Sequence, residues 1–319
     1  MVKRICMIGG SGFVGRAITR AARNAGHDIA IGCRHPERAR DLLVKGVTLH
    51  RVDIASGRGL EAAMRDADCV INLVGLLYEK GRQTFEAVHV HGTEHVLAAC
   101  KAAGVSRYLH MSALGVDIDS PSAYARTKAQ AEAAVKDSGL AWTIFRPSII
   151  FGAGDSFFNK FKRMTDIAPV LPVIEGGTRF QPVWVEDVAR AFVISVNSRH
   201  VRRKVFALGG PEVLTFRELL ECMLEALGRK RLLLPVPRPV ARVMAACMQF
   251  LPVPPLTPDQ LVLLSRDNVV DGSAFPSMFG KPSPVGAVLP TYIGGSQADM
   301  LQHRLDENRR QYWGKTRLS

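Results

Sequence analysis

Three side chains near the middle of the sequence have the types and spacing to move a proton. Ser112 lies in the stretch HMSALG; Tyr124 follows twelve residues later in YARTK, with Lys128 four residues beyond it. A spacing of four puts Tyr124 and Lys128 on one face of a helix. A phenol with a pKa of about 10 is a poor base at neutral pH. A neighbouring ammonium, and a positive ring of a bound cofactor, would lower that pKa. Tyr124 could then pass a proton to or from a substrate oxygen that Ser112 holds.

A second set of residues fits a dinucleotide. The stretch ICMIGGSGFVGRAI places Gly9, Gly12 and Gly15 three apart, after an apolar run and before a helical pattern. Glycine there lets backbone approach a pyrophosphate, whose charge the helix N-terminus stabilises. Phe13 and Val14 open that helix and belong to the same cradle. The second strand ends in CRHPERAR, with Arg34 and Arg38 where an NAD-preferring site offers an acid. A guanidinium pairs with a 2′-phosphate, not with a free 2′-hydroxyl. The expected cofactor is NADP(H), with NAD(H) the weaker alternative.

The elements that must carry these residues alternate. Strands are expected at Ile5–Ile8, Asp28–Cys33, Val47–Val52, Cys69–Val74, Arg107–Ser112 and Trp142–Phe145. Helices are expected at Val14–Asn24, Pro36–Val44, Leu60–Arg65, Phe85–Ala103 and Ser122–Ser138. That rhythm predicts an α/β fold, a doubly wound parallel sheet with its ligand beyond the carboxyl ends of the strands. After about residue 150 the rhythm breaks. Residues 1–150 read as the nucleotide-binding domain, with 183–208 returning to it through a helix at Trp184–Val196 and a strand at Lys204–Leu208. Residues 151–182 and 209–300 read as a smaller, mostly helical substrate or lid domain, and 301–319 as a tail.

GGSGFVG together with Ser112…Tyr124-x-x-x-Lys128 resembles the extended and atypical short-chain dehydrogenase/reductases, which implies a Rossmann-type sheet. In that resemblance Asp53 meets the adenine. Asn72, Val74 and Gly75 of NLVG lie beside adenine and ribose. Tyr124 and Lys128 also hold the nicotinamide ribose, and Arg146 and Pro147 stand on the nicotinamide side. The later stretches DSFFNKFKRM, LPVIEGGTRFQPVWVEDVARA, LGGPEVLTFRELL, LPVPPLTPDQLVLLSRDNVV and LPTYI narrow it. They resemble bacterial relatives of the nucleotide-binding accessory subunit of mitochondrial respiratory complex I. The resemblance implies tight NADPH binding in a structural role. In the eukaryotic subunit the trio is degraded, whereas here it is intact. Two classes of function therefore stay open: an oxidoreductase or epimerase/dehydratase-like enzyme, and a non-catalytic subunit or assembly factor of a membrane complex. A quinone- or lipid-linked reductase is a third reading, since Phe157, Phe158, Phe161 and Met164 could line an apolar pocket; at helical spacing such residues are more often core.

The formal net charge of +13 favours an anionic partner. No zinc finger, basic zipper or aromatic RNA-binding motif is present, so nucleic acid is not expected. The six cysteines are scattered without a C-x-x-C pair and read as buried free thiols in a reducing compartment; no metal-ligand set stands out. The chain begins with a strand rather than a signal peptide, and no run of 18 apolar residues occurs. PVPRPVARVMAACMQFLPVPP could rest on an anionic membrane surface or a membrane partner. The simpler reading is a helix packed on its own core. The expected location is cytoplasmic, or peripheral on the inner face of the cytoplasmic membrane.

Overall fold

The computed structural model describes residues 3–251 and 254–294; the tail at 301–319 lies outside them. The first strand, β1 (Arg4–Ile8), is buried from Ile5 to Ile8. Its period of two divides those residues between two cores. Ile5 and Met7 pack with Ile18, Ile31 and Phe192, while Cys6 and Ile8 pack with Val70, Val96 and Tyr108. A strand buried on both faces needs helices on both sides. The chain supplies them with α1 (Phe13–Asn24), β2 (Asp28–Cys33), β3 (Val47–Arg51), α2 (Leu60–Met64), β4 (Cys69–Asn72), α3 (Gly92–Ala102), β5 (Arg107–Met111), α4 (Ala123–Asp137) and β6 (Ala141–Pro147).

Two expected helices differ from the sequence reading. Pro36–Val44 is not one helix but two 3-10 turns, Pro36–Arg38 and Arg40–Leu42. Only Ala39 of this stretch is buried, and Leu43 and Val44 are exposed. Without an apolar stripe to pack, a short polar segment does not hold a continuous helix. The segment expected to be helical from Phe85 starts instead with a π-helical stretch, Glu86–His91, before α3. The wider turn buries Val88 and His89 side by side.

Beyond β6 the chain leaves and rejoins the sheet. It forms β7 (Ile150–Phe151), α5 (Phe157–Ile167), β8 (Val170–Ile174), β9 (Arg179–Phe180), β10 (Val183–Trp184) and α6 (Val185–Asn197), then returns as β11 (Lys204–Leu208). The seven-stranded sheet has the order β3-β2-β1-β4-β5-β6-β11, parallel throughout. The order reverses between β1 and β4, which opens a crevice at their carboxyl ends. Next come β12 (Leu214–Thr215), α7 (Phe216–Ala226), β13 (Leu232–Val236), α8 (Arg238–Met248) and α9 (Pro258–Leu264). A third core gathers Phe151, Phe158, Leu171, Phe180, Phe216 and Leu220, with Phe157, Phe161 and Met164 packed against it. Phe158 is fully buried in this core, and Phe157, Phe161 and Met164 pack against it while partly buried. Helix α8, in contrast, buries only Ala241 and Ala245, so it is not the core-packed helix the sequence suggested.

Candidate functional site

The glycine turn sits at the reversal of strand order. Gly9 adopts φ +85°, and a Cβ there would lie 3.0 Å from Val74 Cγ2 and 3.3 Å from Val74 N. Gly15 is tighter, since its Cβ would stand 2.5 Å from Gly10 Cα. Both positions therefore require glycine for close approach. Gly12 is the N-cap of α1 and brings no side-chain cap, and the first turn holds no acid. The first bond into the helix runs from Arg16 N–H to Gly12 O at 2.9 Å. The N–H groups of Phe13, Val14 and Gly15 precede it and point their dipole out of the turn. Such an end fits a pyrophosphate.

Arg34 and Arg38 lie just past the end of β2, both exposed, and neither forms an ion pair among the described residues. Their neighbours are already taken: Arg51 pairs with Glu37 at 3.1 Å, and Arg16 with Asp41. Asp53 spends its carboxylate on its own turn, accepting from Ala55 N at 3.2 Å and from Ser56 Oγ at 3.1 Å. Asn72 is buried. Its amide donates to Tyr108 Oη at 3.1 Å, and its carbonyl accepts from Val74 N at 3.1 Å. It thus shapes the backbone of Val74 and Gly75 rather than offering a free amide. A Cβ on Gly75 would meet Lys128 Nζ at 3.4 Å, so this turn abuts Lys128.

Tyr124 and Lys128 are carried one turn apart by α4, and Ser112 follows β5. Lys128 is buried, and its ammonium donates to Met111 O at 2.9 Å, beside Ser112. Burial pulls Lys128 down to about 8, against the opposing pull of Glu132. Ser112 is buried too. Its Oγ makes no hydrogen bond of regular geometry, although it helps keep Glu132 ionised. Tyr124 packs edge-on against Phe85, with centroids at 5.9 Å, and against His89, at 5.4 Å. Burial pushes its phenol up to about 12, and the Asp259 carboxylate adds to this. The expected lowering rests on the ammonium and a bound cofactor's positive ring together; in the protein alone burial raises the pKa instead. Desolvation sets the direction, and the ammonium is turned to Met111 O.

His89 was absent from the sequence reading and is the nearest addition to the site. Its Nε2 accepts from Leu76 N at 3.0 Å, so its Nδ1 carries the proton shared with Thr127 Oγ1 at 2.9 Å. Burial first, and Lys128 second, lower its pKa to about 3, so it stays neutral. Asp259 on α9 was likewise missed. It accepts from Ser122 Oγ at 2.9 Å and from Ala123 N at 2.7 Å, capping α4 from a distant part of the chain. Gln260 beside it donates to Leu77 O at 3.1 Å. No local sequence signal ties α9 to α4. Arg146 does not reach into the crevice: its guanidinium forks onto Glu132 at 2.7 and 2.6 Å. Pro147 offers its carbonyl to Leu114 N at 2.9 Å.

A glycine turn with an unspent helix end, two free arginines at the adenosine edge and a buried ammonium fit a nicotinamide dinucleotide. Fold and site together define a nucleotide-binding protein of the Rossmann class. Residues 9–157 match a family model described as NAD(P)H-binding. The chain is 33% identical over 285 residues to the mitochondrial NADH dehydrogenase (ubiquinone) 1 alpha subcomplex subunit 9 of Arabidopsis thaliana, covering 84% of this chain and 71% of that protein. It belongs to the NAD(P)H-binding short-chain dehydrogenase/reductase family that includes this subunit. A ceramide reductase of Caulobacter vibrioides is 31% identical over 193 residues, 59% of each chain. Among solved structures, the NADPH-dependent quinone oxidoreductase of Escherichia coli complexed with NADPH superimposes with a TM-score of 0.72. It is 19% identical and covers 89% of this chain and 98% of that one, a likeness of fold.

Proposed function

We propose that this chain is an NADPH-dependent reductase of an apolar carbonyl compound, with Tyr124 as its proton donor. The observation that carries the reading is the buried Ser112 hydroxyl, without a hydrogen bond of regular geometry, beside the Met111 carbonyl to which Lys128 on the Tyr124 helix donates. A buried hydroxyl without a well-formed hydrogen bond costs stability, and a carbonyl oxygen would supply one. A bound reduced nicotinamide supplies the hydride to the carbonyl carbon. Ser112 orients the oxygen, Tyr124 gives it a proton, and the product is the alcohol. Lys128 holds the ribose hydroxyls and helps the phenol regain its proton from water. Arg34 and Arg38 support NADPH through the 2′-phosphate. An apolar substrate is supported by Leu77 and Ile118, 57% and 51% exposed on loops next to the site, and by the reductase named for ceramide among the relatives.

The test is NADPH oxidation by the purified chain with long-chain ketones and quinones, compared with Tyr124→Phe. The expected result is a loss of about 10²- to 10⁴-fold in kcat, far larger than any loss of nucleotide affinity, with the melting temperature unchanged. Equal turnover by the variant would end the proposal.

A second reading rests on a separate observation, the 33% identity to a complex I subunit. There the nucleotide is a structural ligand, stabilising the folded chain by mass action. Comigration with a membrane respiratory complex on a native gel, with full function of the Tyr124→Phe chain in that complex, would favour it.

A further inference from the structure

Among the described residues no helix is long and apolar enough to cross a membrane. Yet one side of the molecule leaves large apolar side chains in solvent. Ile167 is 89% exposed, Leu232 63%, Val243 65% and Phe250 84%. These lie on elements tethered to one another. β13 runs parallel to β8 with Leu232 opposite Val170, and Leu232 N donates to Pro169 O at 3.1 Å, two residues from Ile167. The two-residue period of β13 turns Leu232 and Leu234 outward, while Leu233 packs on the third core. Helix α8 starts directly after, its first residue pinned by Arg238 Nε to Glu175 Oε1 at 3.1 Å. With only its alanines buried, α8 presents Val240 and Val243 to solvent, and Phe250 follows its end.

The charge around these side chains has one sign. Residues 160–175 and 229–248 hold eight lysines and arginines against two carboxylates, Asp166 and Glu175. Both carboxylates are paired, with Arg229 and Arg238. Arg163, Lys230 and Arg242 form no ion pair among the described residues. Arg163 and Ile167 share a face of α5, being four apart. Contiguous exposed apolar surface marks an interaction site. Two copies of this chain meeting here would oppose like charges. We infer that the face formed by the end of α5, β13 and α8 docks on an anionic lipid bilayer, with Val243 and Phe250 entering the headgroup boundary and the basic side chains meeting lipid phosphates. The inference holds whether or not Tyr124 turns a substrate over.

The full chain is mixed with vesicles of phosphatidylcholine, with or without phosphatidylglycerol, and floated on a density gradient. Binding is expected to the anionic vesicles at low salt, with release at high salt. A Val243→Asp/Phe250→Asp variant and a Lys230→Glu/Arg242→Glu variant should each lose about tenfold or more of that binding, while keeping the melting temperature and NADPH affinity. Failure of the unaltered chain to float with anionic vesicles at low salt overturns the inference. So does flotation that both variants retain. A concentration-dependent dimer broken by the same variants, without flotation, would assign the face to a second copy instead.

Discussion

Lys128 gives the sharpest quantitative test of the site. Its ammonium is buried and faces a neutral carbonyl, Met111 O, and burial holds its pKa near 8 rather than 10.5. The unfolded chain therefore binds more protons than the folded chain between those two values. Stability rises with pH wherever the unfolded state holds the extra proton. At pH 7 the charged Lys128 works against folding by the whole shift, about 3 kcal/mol. As pH climbs through 8 and on toward 10.5 this cost disappears. Lys128→Met removes the titration while keeping an unbranched chain of similar length. Subtracting its stability from that of the unaltered chain cancels the groups that Lys128 does not touch, and His89, which it does, stays neutral over this range. The difference should move in favour of the unaltered chain by about 2 kcal/mol between pH 7 and pH 9.5. In a chain of this size that is a shift of about 3 °C in the difference of melting temperatures. The assay is denaturant or thermal unfolding of both chains, without nucleotide, across that pH range. A flat difference, or one moving the other way, would mean that Lys128 is solvated or paired, and the argument for a ligand-directed ammonium would fall. NADPH titration at pH 7 completes the test: the Lys128→Met chain should bind more weakly while folding no less stably than its lost bond to Met111 O dictates.

Two further expectations follow from neighbouring residues. Arg34→Ala and Arg38→Ala should each weaken NADPH by roughly 5- to 30-fold and leave NADH unchanged. An exposed charge-assisted contact to phosphate contributes about 1–2 kcal/mol; fluorescence titration with both nucleotides measures it, and equal affinities in the unaltered chain would refute it. Asp259→Ala should destabilise the chain by about 1 kcal/mol through the lost cap on α4. It should also lower the Tyr124 pKa, since a carboxylate that disfavours the phenolate is gone while the burial remains; ultraviolet difference titration against Tyr124→Phe reads the shift.

The parts of this protein legible in its sequence are those that local pattern encodes. Strands β1, β2 and β4 are short apolar runs, and the glycines after β1 must sit where a Cβ would strike Val74 or Gly10. The four-residue step from Tyr124 to Lys128 needs only a helix. The surroundings of those two residues were not legible, because they come from far along the chain. Asp259 lies 135 residues beyond Tyr124. His89 reaches the phenol through a π-helical stretch whose extra residue per turn is set by what it packs against. Without a nucleotide the pKa of Tyr124 follows from that burial, whereas the expected lowering rests on a bound cofactor's positive ring as well as on Lys128. Asn72 was expected beside the nucleotide, and its type alone could not tell that its amide would be spent on Tyr108 and Val74.

The fork from Arg146 to Glu132 explains how Lys128 remains available. Glu132 lies one helical turn beyond Lys128 on α4, almost fully buried, and could neutralise it. Two arginine bonds at 2.7 and 2.6 Å, with Lys136 at 3.5 Å, hold its carboxylate on the side of β6 instead. Glu132 remains ionised, and its charge reaches Lys128 only as a pull that burial overcomes. The ammonium is left with a single neutral acceptor and unspent donors. Arg146, which the family resemblance put on the nicotinamide side of the site, spends its guanidinium on Glu132. It occupies the acid that would otherwise satisfy Lys128, and so leaves the buried ammonium with donors to offer the ribose hydroxyls of the proposed nucleotide.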